Sequence, residues 1–300
     1  MRIEGFHHIT AICSAPQDNL DFYVRVLKQR LVKQTVNFDD PGTYHFYYGD
    51  RTGSPGSILT FFPFVDAGPG RCGAGMASAL TYATGCEEFD AAIERLSERD
   101  VEFDGPFERF GATTLCFPDP DRLWLELQRE DRDTSEIGPP SGVTLWVSEI
   151  ESTALVLTEV LGLTAEGSEA DRLGRRWRFR MAGGGTVDLL RSDAPSIGRQ
   201  GAGTIHHVAF RVADYDTHLA WRERIAANGL DVTPVIDRQY FNAIYFREPG
   251  GVLFEIATDP PGFSLDEPVD ALGLTLKLPQ RYEDRRGEIE RVLPPIRVPR

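Results

Sequence analysis

Two stretches decide the reading of this chain: Phe6-His7-His8-Ile9-Thr10-Ala11-Ile12 near its start, and His206-His207-Val208-Ala209-Phe210 two-thirds of the way along. Each is a short apolar run that reads as a β-strand, with two adjacent histidines at its head. The chain has only six histidines, so two pairs at matching positions point to a repeat rather than to chance. His8 and His207 are 199 residues apart, three periods of roughly 66, longer than the usual solenoid repeat.

Working outward from the pairs, four segments share one order: a short strand, a helix, then three strands with a turn before the last. The first runs from Phe6, through a helical stretch expected near Leu20–Leu31, to Ser54-Pro55-Gly56 and a strand over 57–62. The second has strands near 78–83 and 123–127, a helix near 87–99 and the turn Pro118-Asp119-Pro120-Asp121. The third has strands near 142–147 and 186–190, a helix near 152–160 and the turn Gly183-Gly184-Gly185. The fourth opens on the second histidine pair. Its helix near 215–228 is stopped by Gly229, and it closes on Pro249-Gly250-Gly251 and a strand over 252–256. This predicts an α+β protein of four βαβββ modules, at residues 1–66, 77–130, 141–193 and 203–260, followed by a tail over 261–300. The Gly-rich stretch Ala67–Met76 reads as a linker. A phosphate loop would need a strand before it and a helix after it, and a strand follows here.

Composition narrows the function. The 300 residues suit two domains, and 41% hydrophobic with 26% charged residues is a globular balance. A net charge of −14 repels nucleic acids and anionic membranes. The apolar runs are too short to span a bilayer, and no signal core follows Met1-Arg2-Ile3-Glu4, so a cytoplasmic protein is expected. The four cysteines form no CxxC pair, which argues against a thiolate zinc site or a disulfide framework.

The chemistry sits in the histidine pairs and in Glu255. Neighbouring residues of a strand face opposite sides, so one histidine of each pair is expected to face a site and the other to face away or support it. Glu255 lies in Val252-Leu253-Phe254-Glu255-Ile256, and a carboxylate among such neighbours needs an ion partner, for which Arg247 is the candidate, or a metal. Two histidines and one carboxylate form the facial triad of non-haem iron oxygenases, and zinc hydrolases use the same ligand types. The position matching Glu255 is Phe61 in the first module, or Thr60 if the register slips by one. It is Glu126 in the second and Asp188 in the third. Those two modules lack the histidines, so their acids are expected to be paired structurally, and modules one and four are expected to face each other across the metal.

The motifs HHITAI at 7–12, IHHVAF at 205–210 and EPGGVLFEIATD at 248–259 resemble the vicinal oxygen chelate superfamily (glyoxalase, bleomycin resistance and extradiol dioxygenase proteins). Ligands from the first and last of four modules resemble its ring-cleaving hydroquinone dioxygenases, and the likeness extends into the tail LGLTLKLPQRYEDRRGEIERVLPP at 272–295. The resemblance implies two vicinal-oxygen-chelate domains, with Fe(II), or Mn(II) in its place, held by His8, His207 and Glu255. It further implies substrate and proton-handling roles for His7, Thr10, His206, Arg238 and Tyr245. The implied reaction inserts O2 into a small dihydroxylated aromatic. Hydroquinone and catechol types, cleavage position, and monomer and homo-oligomer all stay open. His45 is either a pocket-lining residue or, as the default, a strand histidine without a role, and His218 is expected to be a solvent-facing helix residue. The tail helix over 282–293, charged on most faces, is expected to be solvated. The rival readings are a metal isomerase of glyoxalase type, which uses four ligands, and a non-catalytic small-molecule binding protein on the same fold.

Overall fold

The structure, a computed structural model, describes residues 1–131, 136–194 and 196–299. Each module contributes four strands and one connecting helix. The first holds β1 (Phe6–Cys13), α1 (Pro16–Asp21), β2 (Arg30–Val36), β3 (Tyr44–Gly49) and β4 (Ile58–Pro63). The second holds β5 (Met76–Thr84), α2 (Cys86–Glu98), β6 (Asp104–Arg109), β7 (Ala112–Pro118) and β8 (Trp124–Arg129). The third holds β9 (Ile137–Trp146), α3 (Ile150–Leu155), β10 (Thr164–Asp171), β11 (Gly174–Arg180) and β12 (Thr186–Ser192). The fourth holds β13 (Thr204–Val212), α4 (Tyr215–Ala227), β14 (Ile236–Asp237), β15 (Phe241–Arg247) and β16 (Leu253–Pro261).

Within a module the first and last strands run parallel and the others antiparallel, as in β1‖β4 and β13‖β16. Two modules then join through their first strands. β1 pairs antiparallel with β13, giving one curled sheet in the order β14-β15-β16-β13-β1-β4-β3-β2. β5 pairs with β9 in the same way, giving β10-β11-β12-β9-β5-β8-β7-β6. Modules one and four therefore share a sheet, which brings the two histidine pairs onto adjacent central strands.

The first helix departs from expectation. It begins at Pro16, whose fixed φ suits the first helical turn, and continues as a π-helical turn over Phe22–Val26. Lys28, at φ +53, then reverses the chain, so Leu31 lies in β2 and not in the helix. The linker over 67–76 pairs with the segment between modules three and four. Gly70 N donates to Ala202 O at 2.8 Å, and Arg71 and Arg199 exchange backbone bonds of 2.9 and 2.8 Å. Gly203 marks another close approach between the halves: at φ +81, a Cβ there would lie 1.9 Å from the carbonyl oxygen of Asp121.

The tail is not merely solvated. Fully buried Lys33 on β2 bonds Asp266 at 2.6 Å and Glu267 at 2.5 Å. The helix α5 (Arg286–Val292) buries Ile289, and Leu293 follows it into the core. Its charged faces are solvated as expected, but one apolar edge ties it to module one.

Candidate metal centre

Strand alternation alone does not build the site. Across β1 and β13, Phe6 pairs with Phe210 and His8 with Ala209, so His7 is an extra residue; Thr10 pairs with His207 and Ala11 with Ile205, so His206 is one too. Each pair thus carries a β-bulge, which re-aims side chains locally. The two histidines of a pair do not point to opposite faces. Their rings meet edge to face, with Nδ1 to Nδ1 at 2.8 Å in both His7–His8 and His206–His207. One ring of each pair donates and the other accepts.

This arrangement frees the Nε2 atoms of His8 and His207. They approach to 3.2 Å, and they lie 3.5 and 3.0 Å from Glu255 Oε2. The three residues are buried, Glu255 completely. Yet both oxygens of Glu255 lack a hydrogen-bond partner despite these short distances. The atoms converge on a point rather than aligning as donor and acceptor, as donors gathered for a cation do. Two imidazoles and one carboxylate fit a divalent ion with open coordination positions. Arg247 is not the partner of Glu255, since its guanidinium reaches Gly251 O.

The electrostatics agree. Burial works to raise the Glu255 carboxyl, but His8 and His207 outweigh it and hold the group well below the usual carboxylate range. Burial lowers His207, and lowers His7 to about 3 and His206 to about 4, so these rings are neutral.

A cavity of about 280 Å3 opens over the cluster. It brings together His8, Thr10, His206, His207, Arg238 and Tyr245. Tyr245 is opposite Glu255 across β15 and β16, and its ring meets His207 edge-on at 5.8 Å. Arg238 Nε donates to Tyr245 Oη at 3.2 Å. His7 supports His8 from behind and packs against Phe241.

Three readings need correction. His45 has surroundings that suit a role, because it lines the cavity. Its Nε2 bonds Thr60 Oγ1 at 2.9 Å and its Nδ1 bonds the Tyr47 hydroxyl at 2.9 Å. Burial keeps the ring neutral and the Tyr47 hydroxyl protonated, so Tyr47 donates to His45, which donates to Thr60, which donates to Thr10. His218 is buried rather than solvent-facing, because its Nε2 donates to the carbonyl of Ile256, next to Glu255, at 2.9 Å. The first-module counterpart of Glu255 is Thr60, not Phe61: Thr10 pairs with Thr60 as Ala209 pairs with Glu255, each two residues beyond a paired histidine.

The sequence reading missed the apolar walls Phe38, Phe62, Phe64, Phe241 and Leu253, and also Tyr47 and Asp39. Alternation from His45 and Thr60 would have found Tyr47 and Phe62, which share their faces. Phe38 and Asp39 lie in a loop, where no periodicity points.

In the other sheet, Ser78-Ala79 and Ser141-Gly142 occupy the bulged positions of the histidine pairs. The acids remain, and arginines balance them. Arg109 pairs with Glu126, Arg178 bonds Asp188 through two contacts of 2.8 Å, and Arg176 reaches Asp171 and Asp188. Glu126 and Asp188 are thus paired structural acids.

Known proteins share this architecture. MhqO of Bacillus subtilis (strain 168), provisionally named a ring-cleaving dioxygenase, is 44% identical over 98% of this chain and 97% of its own. The chlorohydroquinone/hydroquinone 1,2-dioxygenase of Sphingobium indicum is 33% identical over 97% and 96%. A crystal structure of a provisionally named dioxygenase from Bacillus subtilis superposes with a TM-score of 0.93 at 43% identity, covering 99% of each chain. Glyoxalase I from Zea mays shares the fold at a TM-score of 0.65 and 14% identity, over 85% of this chain and 92% of its own. Residues 5–127 and 141–256 match one family profile, and the chain belongs to the glyoxalase/bleomycin resistance protein/dioxygenase superfamily.

Proposed function

We propose that the protein is an Fe(II)-dependent ring-cleaving dioxygenase that inserts O2 into a dihydroxylated aromatic of hydroquinone or catechol type. The observation that carries this reading is the buried His8–His207–Glu255 cluster, with its unpartnered carboxylate, at the floor of an aromatic-walled cavity. The names of the full-length relatives support it. Bound there, iron would lower the pKa of a phenolic hydroxyl and hold aromatic and O2 side by side.

The chain's own residues do the rest. The Nδ1 contacts from His7 and His206 fix the ligand rings in the tautomer that leaves Nε2 free. His206 also lines the cavity, where it takes up or delivers the proton of a substrate hydroxyl. Tyr245 and Arg238 present a hydroxyl and a cation toward developing oxyanion charge. Thr10, at the end of the His45 chain, presents a hydroxyl beside His8. The phenylalanine walls sandwich a flat ring and keep water out. A glyoxalase-type isomerase is disfavoured by Thr60, a hydroxyl standing where that chemistry uses a further carboxylate.

The test is O2 uptake by protein reconstituted with Fe(II) under argon, given hydroquinone and then catechol, with metal content measured on the same sample. Uptake with either compound at one metal per chain supports the proposal. Bound metal without uptake favours the isomerase. Failure to bind metal overturns the ligand assignment.

A further inference from the structure

We infer that Asp39 is a selectivity residue that restricts the pocket to aromatic diols without an anionic substituent. This rests on the proposed reading of the site as an aromatic-diol pocket. Four observations lead there.

First, among the described lining residues Arg238 is the one arginine or lysine. It stands one residue outward from the metal cluster, because Tyr245 lies between it and Glu255. A substituent that points to the mouth from a ring held in the cavity would meet this guanidinium, which on its own would welcome a carboxylate.

Second, Arg238 is not left on its own. Its Nη1 donates to Asp39 Oδ2 at 3.0 Å, and Asp39 also lines the cavity. The pair joins the loop after β2, in module one, to the turn before β15, in module four, so it spans the mouth.

Third, Asp39 is anchored although its side chain is largely exposed. The peptide unit between Phe38 and Asp39 is held from both sides. Phe38 O accepts from Arg281 Nη2 and from the Tyr282 hydroxyl, both at 2.8 Å, and Asp39 N donates to Asn37 Oδ1 at 3.0 Å. The tail thus has a purpose at the site: it fixes the strip that carries Phe38 into the cavity and Asp39 onto Arg238.

Fourth, the mouth and walls beside this pair are the apolar Phe38, Phe62, Phe64, Phe241 and Leu253 and the neutral Asn37, whose Oδ1 is already engaged by Asp39 N, so among the described lining residues no second lysine or arginine is there to offset an anionic group. A carboxylated ring would bring its charge against a fixed carboxylate whose cation is already paired. That is discrimination by repulsion as well as by fit.

The test uses a matched pair of ligands, a hydroquinone bearing an acetate side arm and its acetamide, nearly equal in shape and different in charge. Binding to the metal-loaded protein is measured by calorimetry under argon, where no turnover occurs. Wild type should bind the amide about tenfold more tightly than the acid, Asp39→Asn should bring the two together or invert them, and Asp39→Glu should keep the preference. Equal binding by wild type, or an unchanged ratio in Asp39→Asn, overturns the inference. O2 uptake with plain hydroquinone is recorded in parallel. If hydroquinone is consumed while the ratio fails to move, the selectivity role alone falls. If hydroquinone neither binds nor is consumed, the reading of the pocket falls with it.

Discussion

At the scale of single residues, the site works by leaving one buried carboxylate short of partners. Glu255 is wholly buried, and neither oxygen has an aligned donor, an arrangement that costs several kcal/mol unless a cation completes it. Glu255→Gln keeps the shape and removes the charge. It should reduce metal content from one per chain to a small fraction, as read by elemental analysis after reconstitution, and O2 uptake should fall with it. Retention of stoichiometric metal would exclude Glu255 as a ligand. His218 supports the same strand from behind. His218→Leu strands the Ile256 carbonyl, and denaturant unfolding should show a loss of about 1–3 kcal/mol. Unchanged stability would mean that the bond contributes nothing. The cluster of His8, His207 and Glu255 was legible in the sequence, because paired histidines at repeated strand heads and an acid in an apolar strand are rare. His218 was not, since helical position says nothing about which carbonyl lies within reach.

At the scale of elements, the module is a frame whose bulged first strand can hold different chemistry. In β1 and β13 the bulges carry His7-His8 and His206-His207; in β5 and β9 they carry Ser78-Ala79 and Ser141-Gly142. Where the histidines are absent, Arg109, Arg176 and Arg178 face Glu126, Asp171 and Asp188, so guanidinium groups balance the acids there. Arg176 is buried and touches all three acids. Arg176→Met should therefore destabilise the fold by about 3–5 kcal/mol, because it leaves the three acids to share only Arg109 and Arg178. Chemical denaturation measures this, and a loss under about 1 kcal/mol would show that the cluster relaxes or takes in water. The four-module order was legible from turn punctuation and spacing. The bulges were not, because an extra residue in a strand leaves the apolar pattern almost intact while turning a side chain to the other face. In the first module the spacing left Phe61 or Thr60 open opposite the histidine strand, and the parallel register of β1 and β4 selects Thr60.

At the scale of the whole molecule, the two sheets are joined by a seam with a titratable group at its centre. Tyr23, from the first module, donates its hydroxyl to Asp119 in the turn after β7 at 3.1 Å, and Ser14 N donates to Asp121 of the same turn at 2.9 Å. Asp119 also accepts from the backbone N–H groups of Asp121 and Leu123. Burial is the largest influence on it and raises its pKa from the ordinary 3.8 to about 7, against the pull of those donors. The folded protein therefore holds a proton that the unfolded chain releases. This contribution to stability is complete below the unfolded value and is lost as pH rises toward about 7, levelling above it. Asp119→Asn keeps the backbone acceptor and the contact to Tyr23 but cannot ionise. His7, His206 and His207, lowered by burial in the folded protein, take up protons on unfolding in the same window, so the informative quantity is the difference between wild type and variant at each pH. Measured by denaturant unfolding of the metal-loaded protein, the variant should gain on wild type by an amount on the order of a few kcal/mol between pH 5 and 8, with little further change above. Parallel stability curves would mean that Asp119 is ionised in the folded state throughout, its charge carried by Tyr23 and the two backbone donors. The seam would then be a fixed hydrogen-bonded joint rather than one that loosens as the proton leaves.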